Sequence, residues 1–154
     1  RELNELHRNG VRLQHIGRLE GLSPFLQKKV GQAMELTRDN EKLVLNIAFN
    51  YGGRDELVRA FRRMIRDGVA AETVDETVVG TYLYTAGVPD PDLVIRTSGE
   101  QRGSNFLIWQ SAYSEWYFPK VLWPDFDKAE LRKAIWEYSR RDRRFGGLHP
   151  PTNG

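Results

Sequence analysis

The run Leu43-Val44-Leu45-Asn46-Ile47-Ala48-Phe49 is apolar at every position but one. A strand of this kind, with no alternation between polar and apolar residues, is expected where both faces of a sheet are covered, the usual setting of parallel strands. The rest of the chain fits that setting. Val11-Arg12-Leu13-Gln14-His15-Ile16, closed by Gly17, reads as a strand, and so does Leu93-Val94-Ile95-Arg96 after the turn Pro89-Asp90-Pro91-Asp92. Between them lie amphipathic stretches. Ser23 or Pro24 opens a helix in which Phe25, Leu26, Val30, Ala33 and Met34 recur at helical spacing. Gly52-Gly53 turns into another, carrying Leu57, Ala60, Phe61, Met64 and Ile65 and stopping near Gly68. A short helix is expected over Thr77 to Tyr84, and a last one from about Lys128 to Arg141, after the turn Trp123-Pro124-Asp125-Phe126. Alternation of this kind specifies an α/β fold with an open, mostly parallel sheet flanked by helices.

Arg1 to Asn9 reads as the end of an amphipathic helix, so the chain enters a βα series part-way through. The sheet is then expected to lack strands on one side and to leave apolar edge surface uncovered. The expected organisation is one α/β domain over residues 1–154, the C-terminal portion of a longer fold truncated at its N-terminus, with 148–154 as a flexible tail.

Composition removes several function classes. No apolar run approaches the roughly 20 residues that cross a bilayer, and Arg1-Glu2-Leu3-Asn4-Glu5 leads into no signal-peptide core. Cysteine is absent, which excludes disulfides and thiolate chemistry. Lys and Arg number 23, yet the net charge is only +2, so sequence-independent nucleic-acid binding over the whole surface is not expected. Basic residues matter locally, at Arg96/Arg102 and from Arg140 to Arg144, where Asp142 interrupts the run.

The densest polar constellation is Arg96-Thr97-Ser98-Gly99-Glu100-Gln101-Arg102-Gly103-Ser104-Asn105, at the carboxyl end of a predicted strand, where open α/β sheets bind ligands. Two arginines on one glycine-containing loop can fork a dianionic group with charge-assisted hydrogen bonds. Ser104 precedes an apolar periodic run and is a candidate helix N-cap, which would add free N–H groups for phosphate. The alternative is a solvated loop in which Arg96 and Arg102 pair with Glu100 or Asp92.

The run from Asp92 to Glu100, with Arg102, Ser104-Asn105-Phe106-Leu107, Trp109-Gln110 and Ala112-Tyr113-Ser114-Glu115, resembles the C-terminal signature of cis-prenyltransferases. The bacterial undecaprenyl diphosphate synthases are nearest in appearance. Leu45-Asn46-Ile47-Ala48, Asn50-Tyr51-Gly52-Gly53-Arg54, Trp123-Pro124-Asp125-Phe126 and Arg143-Arg144-Phe145-Gly146-Gly147 extend the resemblance over about Leu3 to Gly147.

The resemblance implies cis-prenyl chain elongation, in which isopentenyl diphosphate condenses with an allylic diphosphate such as farnesyl diphosphate. It assigns Arg96, Arg102, Gly103 and Ser104 to the isopentenyl diphosphate and Glu115 to Mg2+. It assigns Arg144 and Gly146 to an Arg-x-Gly element that enters the neighbouring site of a homodimer. It also implies a cytoplasmic protein that touches a membrane surface transiently to release product, with no nucleic-acid partner. Gln101 stands where some members carry histidine, which puts any metal or proton role there in doubt. The family's Asp-Gly-Asn-Gly-Arg loop, which cradles the allylic diphosphate and supplies an essential aspartate, has no counterpart in this sequence. By itself the chain is therefore expected to hold isopentenyl diphosphate without condensing it. A non-catalytic accessory subunit is the competing reading, weakened by the intact Arg96, Arg102 and Ser104.

Glu115 raises a geometric question. An unbroken helix from Ser104 would place it about 16 Å away, at ~1.5 Å per residue. The expectation is a helix ending near Ser111, followed by a short strand at Trp116-Tyr117-Phe118, with Glu115 serving its own site or a neighbouring subunit's. Asn50-Tyr51-Gly52-Gly53-Arg54 lacks the dinucleotide-binding spacing and reads as a turn and packing element. His7, His15 and His149 lack metal-ligand spacing, and Trp109, Trp116, Trp123 and Trp136 read as core and interface residues.

Overall fold

A computed structural model describes residues 2–141 and shows an α/β chain with parallel strands. It divides into two compact units, Arg1–Val88 and Pro89–Gly154.

In the first unit, helix α1 (Glu2–Arg8) ends at Asn9-Gly10, where Gly10 has φ 74°. Strand β1 (Val11–Ile16) follows, then α2 (Pro24–Thr37), β2 (Leu43–Ala48), α3 (Gly53–Arg66) and α4 (Glu76–Tyr82). The strands pair in parallel, with Val11 opposite Leu43 and Ile16 opposite Ala48. Ser23 caps α2 by accepting the Leu26 N–H, and Pro24 sits where its missing N–H costs nothing. Thr37, at the far end of α2, is fully buried. Its Oγ1 accepts the Leu13 N–H at 2.9 Å and donates to the Ala33 carbonyl, which fastens helix to strand. Asp75 caps α4 through the Val78 N–H.

The core of this unit gathers Val11, Leu13 and Ile16 from β1, Ala60 and Met64 from α3, and Val79 and Leu83 from α4 and its end. β2 is not covered on both faces. Leu43 is 57% exposed and Ile47 49%, and Leu45 and Phe49 are also exposed. Its apolar character is that of a central strand, but among the described residues it pairs with β1 alone. The apolar side chains of β2 are thus left exposed among the described residues.

In the second unit β3 (Leu93–Ile95) pairs in parallel with β4 (Glu115–Tyr117), Leu93 lying opposite Glu115 and Ile95 opposite Tyr117. A short 3-10 turn (Trp123–Asp125) leads to α5 (Lys128–Ser139), capped by Asp127, whose Oδ1 accepts the N–H groups of Ala129 and Glu130. Residues 97–114 contain no helix, contrary to the expectation from Ser104 onward. Ser104, Asn105 and Leu107 have φ of 47°, 65° and 45°, a left-handed run that cannot enter a right-handed helix. Strand β4 starts at Glu115, one residue before the expected position. Two of the tryptophans are not core residues: Trp123 is 72% exposed, and Trp136 is exposed on α5 with the Arg140 guanidinium over its ring.

Candidate functional site

The loop after β3 is held by backbone. Arg96, Ser98 and Gly99 donate their N–H groups to the carbonyls of Tyr117, Val121 and Pro119. The polar loop is thus strapped along the segment that continues β4. Ser98 and Gly99 both have φ 67°, so the chain reverses at once beyond the strand. Gly103 packs on Trp116, since a Cβ there would lie 3.4 Å from the indole Cη2. An alanine Cβ there would lie in van der Waals contact with the ring.

On this frame Arg96 is the organising side chain. Its Nη1 donates to the Ser104 Oγ at 2.7 Å and to the Arg102 carbonyl, while its Nη2 lies 3.7 Å from the Glu100 carboxylate. Arg102 pairs with the same oxygen, Glu100 Oε2. Arg96 is about one-quarter exposed and Arg102 about two-thirds. Two guanidinium groups therefore share one anionic oxygen at the carboxyl end of a parallel strand, and the Ser104 hydroxyl sits on the other nitrogen of Arg96. The Ser104 hydroxyl is used by Arg96 and caps no helix, so the helix-dipole contribution expected from the sequence is withdrawn. The pairing with Glu100, the alternative weighed for these arginines, is present.

Glu115 does not join this group. Its backbone lies opposite Leu93, at the amino end of the β3–β4 pair, about 10 Å along the strands from Arg96 at ~3.3 Å per residue. Side chains alternate along a strand, so Glu115 shares a face with Leu93, whereas Arg96 continues the face of Val94 and Trp116. Its Oε2 accepts from Arg141 Nη1 at 2.8 Å, and the same nitrogen donates to the Trp116 carbonyl. Among the described residues no cluster of three His, Cys, Asp or Glu could hold a metal. Arg144 and Gly146 lie outside the described residues, as does the expected tail at 148–154.

The first unit contains features that the motifs do not mark. Asn50, at φ 53°, donates from Nδ2 to the Arg18 carbonyl at 2.9 Å, locking together the ends of β1 and β2. A Cβ on Gly17 would lie 2.3 Å from the Phe49 carbonyl oxygen. Glu56 is 2% exposed. Its carboxylate accepts the Tyr51 hydroxyl at 2.5 Å and the Tyr84 N–H at 2.8 Å. The sequence held a signal for it: Glu56 lies on one helical face with Ala60 and Met64, both buried. An apolar cavity of about 220 Å³ lies between α2 and the strands, lined by Leu13, Leu22, Leu26, Val30, Ile47 and Phe49 among others.

The family model described as "Putative undecaprenyl diphosphate synthase" matches residues 1–146. The chain belongs to this family of cis-prenyltransferases. An isoprenyl transferase of Clostridium perfringens is 51% identical over 151 residues, covering 96% of this chain and 60% of that protein. The isoprenyl transferase of Thermotoga maritima is 52% identical over 151 residues, covering 96% and 64%. The chain thus spans about 60% of the length of the curated relatives it matches. The fold agrees. A probable undecaprenyl diphosphate synthase from Campylobacter jejuni superimposes with a TM-score of 0.85 at 35% identity, covering 94% of this chain and 67% of that one. Lavandulyl diphosphate synthase from Lavandula x intermedia, in complex with dimethylallyl diphosphate, gives a TM-score of 0.89 at 35% identity, covering 94% and 65%.

Proposed function

We propose that Arg96, Arg102, Gly103 and Ser104 bind the diphosphate of isopentenyl diphosphate, and that the activity served is cis-prenyl chain elongation. The observation that carries this reading is the convergence of Arg96 and Arg102 on the Glu100 carboxylate. One oxygen can bridge both guanidinium groups, and a diphosphate oxygen has the same charge preference with more acceptors to offer. Ser104 adds a hydroxyl, and Gly103 leaves backbone open beside it. In the reaction, the alkene of isopentenyl diphosphate attacks C1 of an allylic diphosphate. The C1–O bond breaks, pyrophosphate leaves with the electron pair, and loss of a proton sets the cis double bond. The task of this loop is to hold one polyanion and orient its alkene. An allylic diphosphate as co-substrate is supported by the lavandulyl diphosphate synthase complex, whose ligand is of that class. The apolar cavity between α2 and the strands is suited to hydrocarbon and supports a contribution to the tunnel wall.

Magnesium is a separate matter. Glu115 is ion-paired to Arg141, and among the described residues no group of three His, Cys, Asp or Glu is placed to hold an ion, so these residues alone do not fit it. Its placement away from Arg96 favours Glu115 as a ligand in a site completed by another subunit. That reading goes with a homodimer in which Arg144 and Gly146 reach the partner's diphosphate, and with transient contact at a membrane surface. Mixing an inactive Arg96→Ala full-length parent with an inactive Arg144→Ala full-length parent under subunit exchange should restore part of the activity if the tail acts across the interface. No recovery in a proven heterodimer rejects it. The intact Arg96–Ser104 pairing argues against an accessory subunit without a pocket. For the site itself, the phosphorus resonances of isopentenyl diphosphate should shift or broaden on addition of the chain. With Arg62→Gln and Arg66→Gln in both proteins, so that no second cationic cleft competes, they should stay sharp once Arg96→Ala and Arg102→Ala are added, and equal spectra from both proteins would reject the assignment.

A further inference from the structure

The first unit carries a second concentration of positive charge, sharing no residue with the Arg96 loop. A cleft of about 400 Å³ lies between the loop after β1 and helix α3, lined by Arg18, Arg59, Arg62, Arg63 and Arg66. Four of these follow one another on one face of α3, at i, i+3, i+4 and i+7, a spacing that places like charges side by side. Two carboxylates also line the cleft, and both are already paired. Arg59 Nη1 lies 3.3 Å from Glu20 Oε1, and Arg18 Nε 3.3 Å from Asp55 Oδ2. The next carboxylate along the helix, Asp67, is engaged by the Tyr82 hydroxyl. Five arginines against two carboxylates leave three positive charges uncompensated in the cleft.

Two of the guanidinium groups, those of Arg59 and Arg63, are also held in place. Arg63 lies over the Tyr82 ring, 5.3 Å from its centroid, and Nη1 donates to the Tyr82 carbonyl. Arg59 lies over the Tyr84 ring at the same distance. Arg62 and Arg66 form no ion pair among the described residues. A solvated arginine face on a surface helix needs none of this positioning, whereas an anion site gains from it, because stacked guanidinium groups lose less freedom when a ligand arrives.

We propose that this cleft binds a phosphate-type polyanion, a diphosphate or larger, through Arg62, Arg63 and Arg66. Guanidinium offers paired donors that match phosphate oxygens, and the cleft has room for a diphosphate with several further atoms. The phosphate could be free in solution or carried on a lipid headgroup; the chemistry recognised is the same. This inference does not rest on the reading of the Arg96 loop.

The test uses the 154-residue chain with Arg96→Ala and Arg102→Ala in place, so that the loop after β3 no longer competes. One arm titrates it calorimetrically with inorganic pyrophosphate, without divalent cation. The other sediments it with phosphatidylcholine vesicles, with and without phosphatidylglycerol. The expected result is binding that weakens with added salt and at least tenfold on Arg62→Gln with Arg66→Gln, in the first arm for a free anion or the second for a headgroup. Both side chains are exposed and unpaired, so the far-ultraviolet spectrum should not change. If it does, Arg62→Lys with Arg66→Lys keeps the charge, loses the fork, and should still weaken binding severalfold. No binding in either arm, or binding that these substitutions leave unchanged, overturns the proposal.

Discussion

Glu56→Ala should be among the most destabilising single substitutions in the first unit. The carboxylate is 2% exposed and accepts two hydrogen bonds, from the Tyr51 hydroxyl and the Tyr84 N–H. It thereby joins the start of α3 to the residues just after α4. A hydrogen bond to a charged acceptor contributes about 1.5–3 kcal/mol, and the two share one carboxylate, so their losses do not simply add. Alanine also leaves a void where the side chain stood, against Ala60 and Met64. The expected loss is about 3–5 kcal/mol. Glu56→Gln keeps the shape and can accept the Tyr84 N–H while its amide meets the Tyr51 oxygen, so about 1 kcal/mol should be lost. The assay is urea unfolding at neutral pH followed by circular dichroism, with both variants compared at equal slope. An alanine variant within about 0.5 kcal/mol of the parent, inside the range of ordinary surface substitutions, would refute the reasoning.

Gly17→Ala should lower stability by roughly 1–3 kcal/mol, because φ is +126° and the new Cβ would meet the Phe49 carbonyl; unchanged urea unfolding would contradict it. The Glu20 carboxyl is held below its ordinary value of 4.5, first by a hydrogen bond from its own backbone N–H and then by Arg59. Its contribution to stability is therefore present above pH 4.5 and lost as pH falls through the lower folded value. An NMR titration should show this midpoint rising in Arg59→Gln, and an unmoved midpoint would reject the Arg59 contribution. Glu115→Gln breaks a half-buried pair with Arg141 and should cost about 1 kcal/mol or less. If Glu115 is a magnesium ligand, the same change should also raise the magnesium concentration needed for turnover in an active family enzyme, and an unaltered magnesium dependence would leave it a structural residue.

The elements were legible in the sequence because their signals are local. Val11–Ile16 and the cap at Ser23 follow from apolar runs and one side-chain oxygen ahead of a proline. The stretch 97–114 was not legible. Its apolar residues recur as if in a helix, but Arg96 takes the Ser104 hydroxyl from eight positions away, and Ser104, Asn105 and Leu107 are left-handed. The exposure of β2 could be anticipated only in outline, since a strand's sequence records the covering it evolved under and not which neighbour supplies it. In the site, the pairing of Arg96 and Arg102 with Glu100 could be read from a loop of few residues. The distance of Glu115 from Arg96 depended on how that loop folds back. Glu56 was marked only by sharing a helical face with Ala60 and Met64; a carboxylate in the first turn of a helix ordinarily faces water, and its partners Tyr51 and Tyr84 include one remote in sequence.

Calorimetric titration with isopentenyl diphosphate, of a chain carrying Arg62→Gln and Arg66→Gln, shows whether Arg96 and Arg102 together receive a diphosphate. Saturable binding is expected, weakening about tenfold to a hundredfold in each of Arg96→Ala and Arg102→Ala, the equivalent of one charge-assisted contact of about 1.5–3 kcal/mol. Glu115→Gln, measured in parallel without divalent cation, should leave the affinity where it was. Affinity that is indifferent to both arginines, or that falls only with Glu115, would contradict it.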